Sequence, residues 1–249
     1  MSDKKRILML FSGGLDSTWL LYNRIKEGCL VETFYAKGGQ RESKQNCEKA
    51  SRKLITAWIE ANAPADKPAS IWECWDGQVE VRFGAAKKRS WGQAIAWLVS
   101  ALEVVDPDKH YCVEIGYVMG DEICQHLHDI QDAWNSLWKF SKEGDVVPLT
   151  FPLSRTKKYE ILQQMPGELY KLTWVCELPD VDHLNGHKPC GQCEACITRA
   201  TEEHRFFLKQ GMTVQTFHTP SAKLIENGSK GDSNALPVDL DKGLREIVQ

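Results

Sequence analysis

No stretch of the chain approaches the roughly 20 consecutive apolar residues that span a bilayer, which excludes a membrane-spanning helix. Neither sign of charge prevails: Lys and Arg number 31 against 34 Asp and Glu, for a net charge of −3. That balance gives no electrostatic reason to expect nucleic acid or a membrane surface as a partner. Residues 1–6 are polar and run straight into an apolar strand, so no signal peptide is expected and the location is expected to be cytoplasmic. Internal repeats are missing, as is the G-x-x-x-x-G-K-[ST] pattern of ordinary P-loop NTPases.

What remains is the composition of a globular protein. Its 249 residues are 42% apolar and 26% charged, enough for one sizeable α/β domain with an appendage. Residues 6–11 form a nearly continuous apolar run, the mark of a strand buried on both faces. A Gly-rich turn follows at 12–16, then a helix over 17–27 closed by Gly28. Strands are predicted at 29–35, 71–75 and 111–117, and helices at 42–61, 91–105, 129–140 and 157–165. Residues 76–90 read as a partly ordered loop, and the tail beyond 211 is rich in Gly, Ser, Asn and Pro. This alternation predicts an open, mostly parallel α/β sheet with helices on both faces, plus a small zinc module. The division expected is 1–172, 173–212 for the cysteine module, and 213–249 for a C-terminal tail.

Ser12-Gly13-Gly14-Leu15-Asp16-Ser17 lies between the first buried strand and a helix. Two glycines let backbone turn sharply and approach an anion with no Cβ in the way. The N–H groups of the turn and of the first helical turn then face the anion, aided by the helix dipole. Ser12 and Ser17 add hydroxyl donors. Asp16 beside a phosphate site suits Mg²⁺ or a helix cap better than phosphate itself. A tight βα turn with an ordinary cap is the bland alternative.

The nine cysteines are uneven. Cys29, Cys47, Cys74, Cys112 and Cys124 are scattered and read as small buried residues. Cys190, Cys193 and Cys196 form a C-x2-C-x2-C run, and Cys176 can return as a fourth ligand. Four thiolates suit Zn²⁺ in a closed structural site; an iron–sulfur cluster is the rival, and His183 or His187 could replace Cys176.

The S-G-G-x-D-S loop resembles that of the ATP-pyrophosphatase superfamily. Its members grip the pyrophosphate of ATP, cleave between the α- and β-phosphates and form an adenylated intermediate. With the late C…P-C-G-x-C-x-x-C cluster, the chain resembles the 7-cyano-7-deazaguanine synthase family over about residues 6–210. Local echoes are Gln40-Arg41, Arg89, Gly116, Pro152-Leu153 with Lys157, and Pro189-Cys190-Gly191-Gln192-Cys193. The resemblance implies adenylation of 7-carboxy-7-deazaguanine, reaction with ammonia to the 7-amide, dehydration to the nitrile with a second ATP, and a structural zinc. The family's Gly-Tyr-Pro-Asp-Cys-Arg pocket segment is replaced here by residues 120–129, its Gly-Arg-Asn becomes Lys88-Arg89-Ser90, and the loop between Cys176 and Cys190 is long. This is the pattern of a divergent member, such as those of phage DNA-modification or bacterial antiviral gene clusters, in which another amine, including one on a protein, can be the acceptor.

Candidate roles follow. Ser12 to Ser17 and Gly116 would hold ATP, and Asp16, Lys157 and Arg89 would act in catalysis, the last two by neutralising phosphate charge. Gln40, Arg41, Trp91, Asp121 and Glu122 are substrate candidates. The two acids lie just beyond a strand's C-terminal end, where open α/β sheets bind ligands. Trp134 and Trp138 read as core, and His126 and His128 as loop histidines without catalytic work. The rival functions are a tRNA-thiolation-type adenylase, which would favour a basic surface, and a zinc-stabilised nucleotide-binding protein without turnover. The sequence leaves the oligomeric state open, a homodimer being one option.

Overall fold

The computed structural model describes residues 6–37, 40–63, 71–76, 89–182 and 186–209. The tail assigned to 213–249, His183, most of the loop at 76–90 and the side chains of Arg89, Trp91 and His187 lie outside the described residues.

The first apolar run forms β1 (Arg6–Leu10), and α1 (Leu15–Glu27) follows the glycine turn. Gly28 closes α1 in the left-handed conformation at φ 82°, its N–H reaching the carbonyls of Arg24 and Ile25. Then come β2 (Val31–Tyr35), α2 (Glu42–Asn62), β3 (Ile71–Asp76), α3 (Arg89–Val104) and β4 (His110–Glu114). A 3-10 turn, Glu122–His126, leads into α4 (Leu127–Ser141), followed by β5 (Leu149–Thr150) and α5 (Lys158–Gln164). A short α6 (Gly167–Lys171), the antiparallel pair β6 (Asp180–Asp182) and β7 (Gly186–Lys188), and α7 (Glu194–Lys209) complete the order.

The main sheet runs β3-β2-β1-β4-β5, every pairing parallel. Parallel strands are covered on both faces, and β1 shows how. Ile7 and Met9, with Phe11 beyond the strand's end, pack with α1, α2 and α5 side chains such as Leu20, Ile55 and Ile161. Leu8 and Leu10 face the opposite layer, with Leu98 of α3 and Trp134 and Trp138 of α4. The two tryptophans are buried core, one turn apart, and the Trp134 indole N–H donates to the Val147 carbonyl at 2.8 Å. From β1 the chain winds outward to β2 and β3, then returns to place β4 and β5 on β1's other side. The switch point therefore lies between β1 and β4, where open α/β sheets leave a crevice at the strand ends.

The open parallel sheet is as expected. Its boundaries differ for local reasons. The fourth strand ends at Glu114 rather than 117 because its partner β5 is only two residues long, too brief for sequence periodicity to reveal. Pro166 ends one helix, as expected, but also stands at the N-cap of α6. Among the described residues no helix is long and apolar enough to cross a membrane.

Candidate active site

The hexapeptide sits at the β1–β4 switch point. Gly13 has φ +79°, a left-handed conformation that favours glycine. A Cβ there would lie 3.1 Å from Ser51 Oγ and 3.2 Å from both Arg52 Cγ and the Glu48 carbonyl. Sequence and space thus both call for glycine. Gly14 is the N-cap of α1 and has no side-chain cap, so the N–H groups of the first turn are not bonded by a capping side chain. Their orphan donors and the helix dipole could together stabilise an anion at this end of the helix. Ser12 Oγ and Ser17 Oγ stand 3.1 Å apart, Gly14 N–H donates to Ser12 Oγ at 3.3 Å, and Ser17 Oγ donates to the Gly14 carbonyl at 3.3 Å. Leu15 opens the helix.

Gly116, just past β4, closes the other side of the crevice. A Cβ on it would meet the backbone of Asp16 at 3.4 Å and Ser17 Cα at 3.5 Å, which is ordinary contact. The site therefore tolerates alanine at Gly116 but has no room there for a large side chain.

Asp16 is the chemical centre of the arrangement. One oxygen, Oδ2, lies 3.8 Å from Lys158 Nζ, and the other, Oδ1, is buried with no hydrogen-bond partner. Lys158 Nζ also reaches Asp121 Oδ1 at 3.2 Å, while Asp121 Oδ2 accepts the Val118 N–H at 3.0 Å. Burial pushes the Asp16 carboxyl up to about 7; Lys158 opposes this and Asp121 adds to it. For Lys158 burial favours the neutral amine, but the two carboxylates outweigh it and the ammonium is held above its usual range. An orphaned carboxylate oxygen next to an anion cradle fits a hard divalent cation such as Mg²⁺, whose ligands are oxygens.

The lysine brought to this site is Lys158, not its neighbour Lys157. Lys157 is exposed; its ammonium lies 5.8 Å over the Tyr159 ring and its N–H is capped by Glu160 at 2.8 Å. Two adjacent lysines at a helix start cannot be told apart by pattern, and helix phase decides between them. Of the acid pair, Asp121 joins the site and Glu122 is exposed. Gln40 and Arg41 precede α2, with the Arg41 carbonyl starting that helix by accepting the Gln45 N–H at 3.1 Å. His126, at the end of the 3-10 turn, lies 3.2 Å from Asp129, and His128 in the first turn of α4 lies 3.5 Å from Asp132.

The sulfurs of Cys176, Cys190, Cys193 and Cys196 lie within 4.8 Å of one another. Cys176 and Cys190 approach to 3.5 Å, and Cys176 and Cys193 to 4.0 Å. Four thiolates around one zinc at 2.3 Å would be about 3.8 Å apart, so the set fits a tetrahedral ion with little adjustment. Gly191 turns the knuckle at φ +70°. The N–H groups of Cys190, Gln192 and Cys193 point at ligand sulfurs at 3.2, 3.5 and 3.4 Å, as donors that favour thiolate. Of the scattered cysteines, Cys47 and Cys112 are buried and Cys29 and Cys124 half-buried, while the Cys74 side chain lies outside the described residues.

Sequence reasoning missed the segment that joins the two sites. Residues 172–177 run from α6 past the phosphate loop into Cys176. The Trp174 N–H donates to the Gly13 carbonyl at 2.9 Å, and the Trp174 indole donates to the Cys176 carbonyl at 3.0 Å. Backbone contacts of this kind leave no residue-type signal.

No protein-family model matches the chain. It is 23% identical over 224 residues to the 7-cyano-7-deazaguanine synthase of Trichodesmium erythraeum (strain IMS101), a match covering 79% of this chain and 94% of that protein. Among solved structures, the U34-tRNA thiolase NcsA from Methanococcus maripaludis with its 4Fe-4S cluster aligns over 91% of this chain and 71% of its own, at 15% identity and a TM-score of 0.41. In its overall sequence, its switch-point loop and its four-cysteine cluster the chain is similar to the 7-cyano-7-deazaguanine synthases, at a distance that fits a divergent member of that group.

Proposed function

We propose that the chain is an ATP-dependent ligase that adenylates a carboxylate and passes the acyl group to an amine, releasing AMP and pyrophosphate. The observation that carries this reading is the uncapped N-terminus of α1 beside Asp16 and Lys158: an anion cradle, a buried orphan carboxylate oxygen and an ammonium, gathered at one strand edge. Ser12, Gly13, Gly14, Leu15 and Ser17 would hold the pyrophosphate portion. Lys158 would neutralise charge as the carboxylate oxygen attacks the α-phosphorus and the bond to the β-phosphate breaks. Mg²⁺, held by Asp16, would draw charge from the leaving pyrophosphate. Amine attack on the acyl carbon then expels AMP.

The substrate class proposed is 7-carboxy-7-deazaguanine, supported by the alignment to the synthase. Ammonia would give the 7-amide, and a second ATP the nitrile. The replaced pocket segment at 120–129 makes the amide the expected end point and leaves room for another amine, including one on a protein. Zn²⁺ is proposed for the four cysteines, in a module over 173–212 that joins an ATP-pyrophosphatase domain over 1–172. Free thiolates of this kind persist in a reducing cytoplasm, where we place the reaction.

Mass spectrometry of products from ATP, 7-carboxy-7-deazaguanine and ammonium tests the proposal. AMP, pyrophosphate and the amide are expected; ADP with phosphate would overturn it.

A further inference from the structure

We infer that Ser51 is a positioning residue of the phosphate loop, holding Gly13 and the 172–177 strap together with one buried hydroxyl. Ser51 lies on α2 and is 5% exposed. A helical serine ordinarily returns its proton to a carbonyl one turn back in its own helix. Ser51 instead directs its proton outside the helix, to the Leu172 carbonyl at 2.5 Å and the Gly13 carbonyl at 3.1 Å. One proton serves both oxygens as a three-centre bond, its shorter arm on the strap.

Gly13 is the left-handed residue whose conformation aims the loop's N–H groups, and its carbonyl has two donors, Ser51 and the Trp174 N–H. The strap that carries Trp174 is itself fixed on both sides. Arg199 of α7 donates to the Thr173 carbonyl at 3.0 Å, and Lys44 of α2 holds both Glu177 oxygens at 2.6 Å. Glu177 follows Cys176 directly, so the strap runs from the loop to the cysteine cluster. Ser51 is where α2, the loop and the strap meet. Without its hydroxyl the Gly13 carbonyl loses one of two anchors, and the Leu172 carbonyl loses the short one. The peptide plane at Gly13 is then freer to rotate and its neighbours' N–H groups to leave the anion.

This rests on the reading that the loop binds pyrophosphate. Calorimetry with Mg²⁺ and pyrophosphate, and separately with Mg²⁺ and ATP, should show Ser51→Ala binding about tenfold more weakly than wild type, the loss of one hydrogen bond. In turnover the KM for ATP should rise by a similar factor while kcat changes little. Ser51→Thr keeps the hydroxyl and should restore binding. Ser51→Cys keeps the shape with a poor donor and should not, and it serves if the alanine variant fails to fold. Ile59→Val, a buried truncation on the same helix, is the control for general destabilisation; it should lower the melting temperature without weakening pyrophosphate. Ser51→Ala within twofold of wild type, or a loss that threonine does not repair, overturns the inference alone. A wild-type chain that binds neither ligand overturns the loop reading and this inference with it.

Discussion

Asp16 shows how much one residue's environment adds to its letter. The hexapeptide marks it as a candidate cation ligand or helix cap; the cap reading fails, because Gly14 is the N-cap of α1 and Asp16 already lies in the first turn. Its burial and its orphan oxygen were not legible, since both arise from Gly116 and α5, which are distant in sequence. They make a pH prediction possible. The carboxyl ionises at about 7 in the folded chain, against 3.8 for an ordinary aspartate. The ligand-free folded state therefore binds that proton more tightly than the unfolded one. Between those two values stability falls as pH rises, by up to about 1.4 kcal/mol per unit. Bound Mg²⁺ favours the charged form, so its affinity should rise with pH across the same window. Asp16→Asn should flatten both trends in thermal melts and Mg²⁺ titrations and strongly reduce turnover; an unchanged slope would remove Asp16 from the cation site.

The lysines give a second test at the same scale. Lys158 Nζ is within 4 Å of two carboxylates, and Lys157 is exposed over Tyr159. Lys158→Met should lower kcat/KM by about 10²-fold or more, the range for losing one group that stabilises developing charge. Lys157→Met should stay within a few-fold of wild type. Equal losses would mean that helix phase does not select the cation. The family resemblance points to Lys157 by its place after Pro152-Leu153, and helix phase instead puts Lys158 beside the two carboxylates.

At the scale of elements, the C-x2-C-x2-C run and the upstream Cys176 could be read as a ligand set because short spacings restrict geometry. The strap could not, because it works through backbone N–H and C=O groups that every residue carries. It makes the cysteine knot more than an appendage: Cys176 lies two residues from the N–H that holds Gly13. Metal analysis should find about one Zn²⁺ per chain. Cys193→Ser should lower the melting temperature and the yield of folded protein, because metal binding supplies folding free energy. The variant that still folds should also bind pyrophosphate more weakly, since the strap is loosened at its far end. Iron in place of zinc, or a metal-free chain of unchanged stability, would refute the assignment.

For the whole molecule, the sheet order decides where chemistry can occur. β1 and β4 diverge at the switch point, and the residues gathered there come from positions 12–17, 116, 121 and 158, far apart in the chain. In the proposed reaction the α-phosphate of ATP would lie toward Lys158 and the reacting carboxylate would approach from the side of the 120–129 segment, which carries Asp121 beside that lysine. That segment stands where the family the chain resembles carries Gly-Tyr-Pro-Asp-Cys-Arg. Asp121 is committed to Lys158 and the Val118 N–H, so it holds the lysine rather than standing free to read a base. Recognition of a flat, guanine-like acid must then depend on other groups of the crevice, with shape contributing more than one charged hydrogen bond. We therefore expect calorimetry to detect 7-carboxy-7-deazaguanine only when a non-hydrolysable ATP analogue and Mg²⁺ are already bound and supply one wall of the pocket. Asp121→Asn should weaken that binding by less than the one to two decades that a direct charged hydrogen bond contributes, while slowing turnover through a loosened Lys158. A loss of two decades in binding, with turnover at saturation unchanged, would instead make Asp121 a base-reading residue. Absence of binding under every condition would remove this acid as the substrate and leave adenylation of another carboxylate standing.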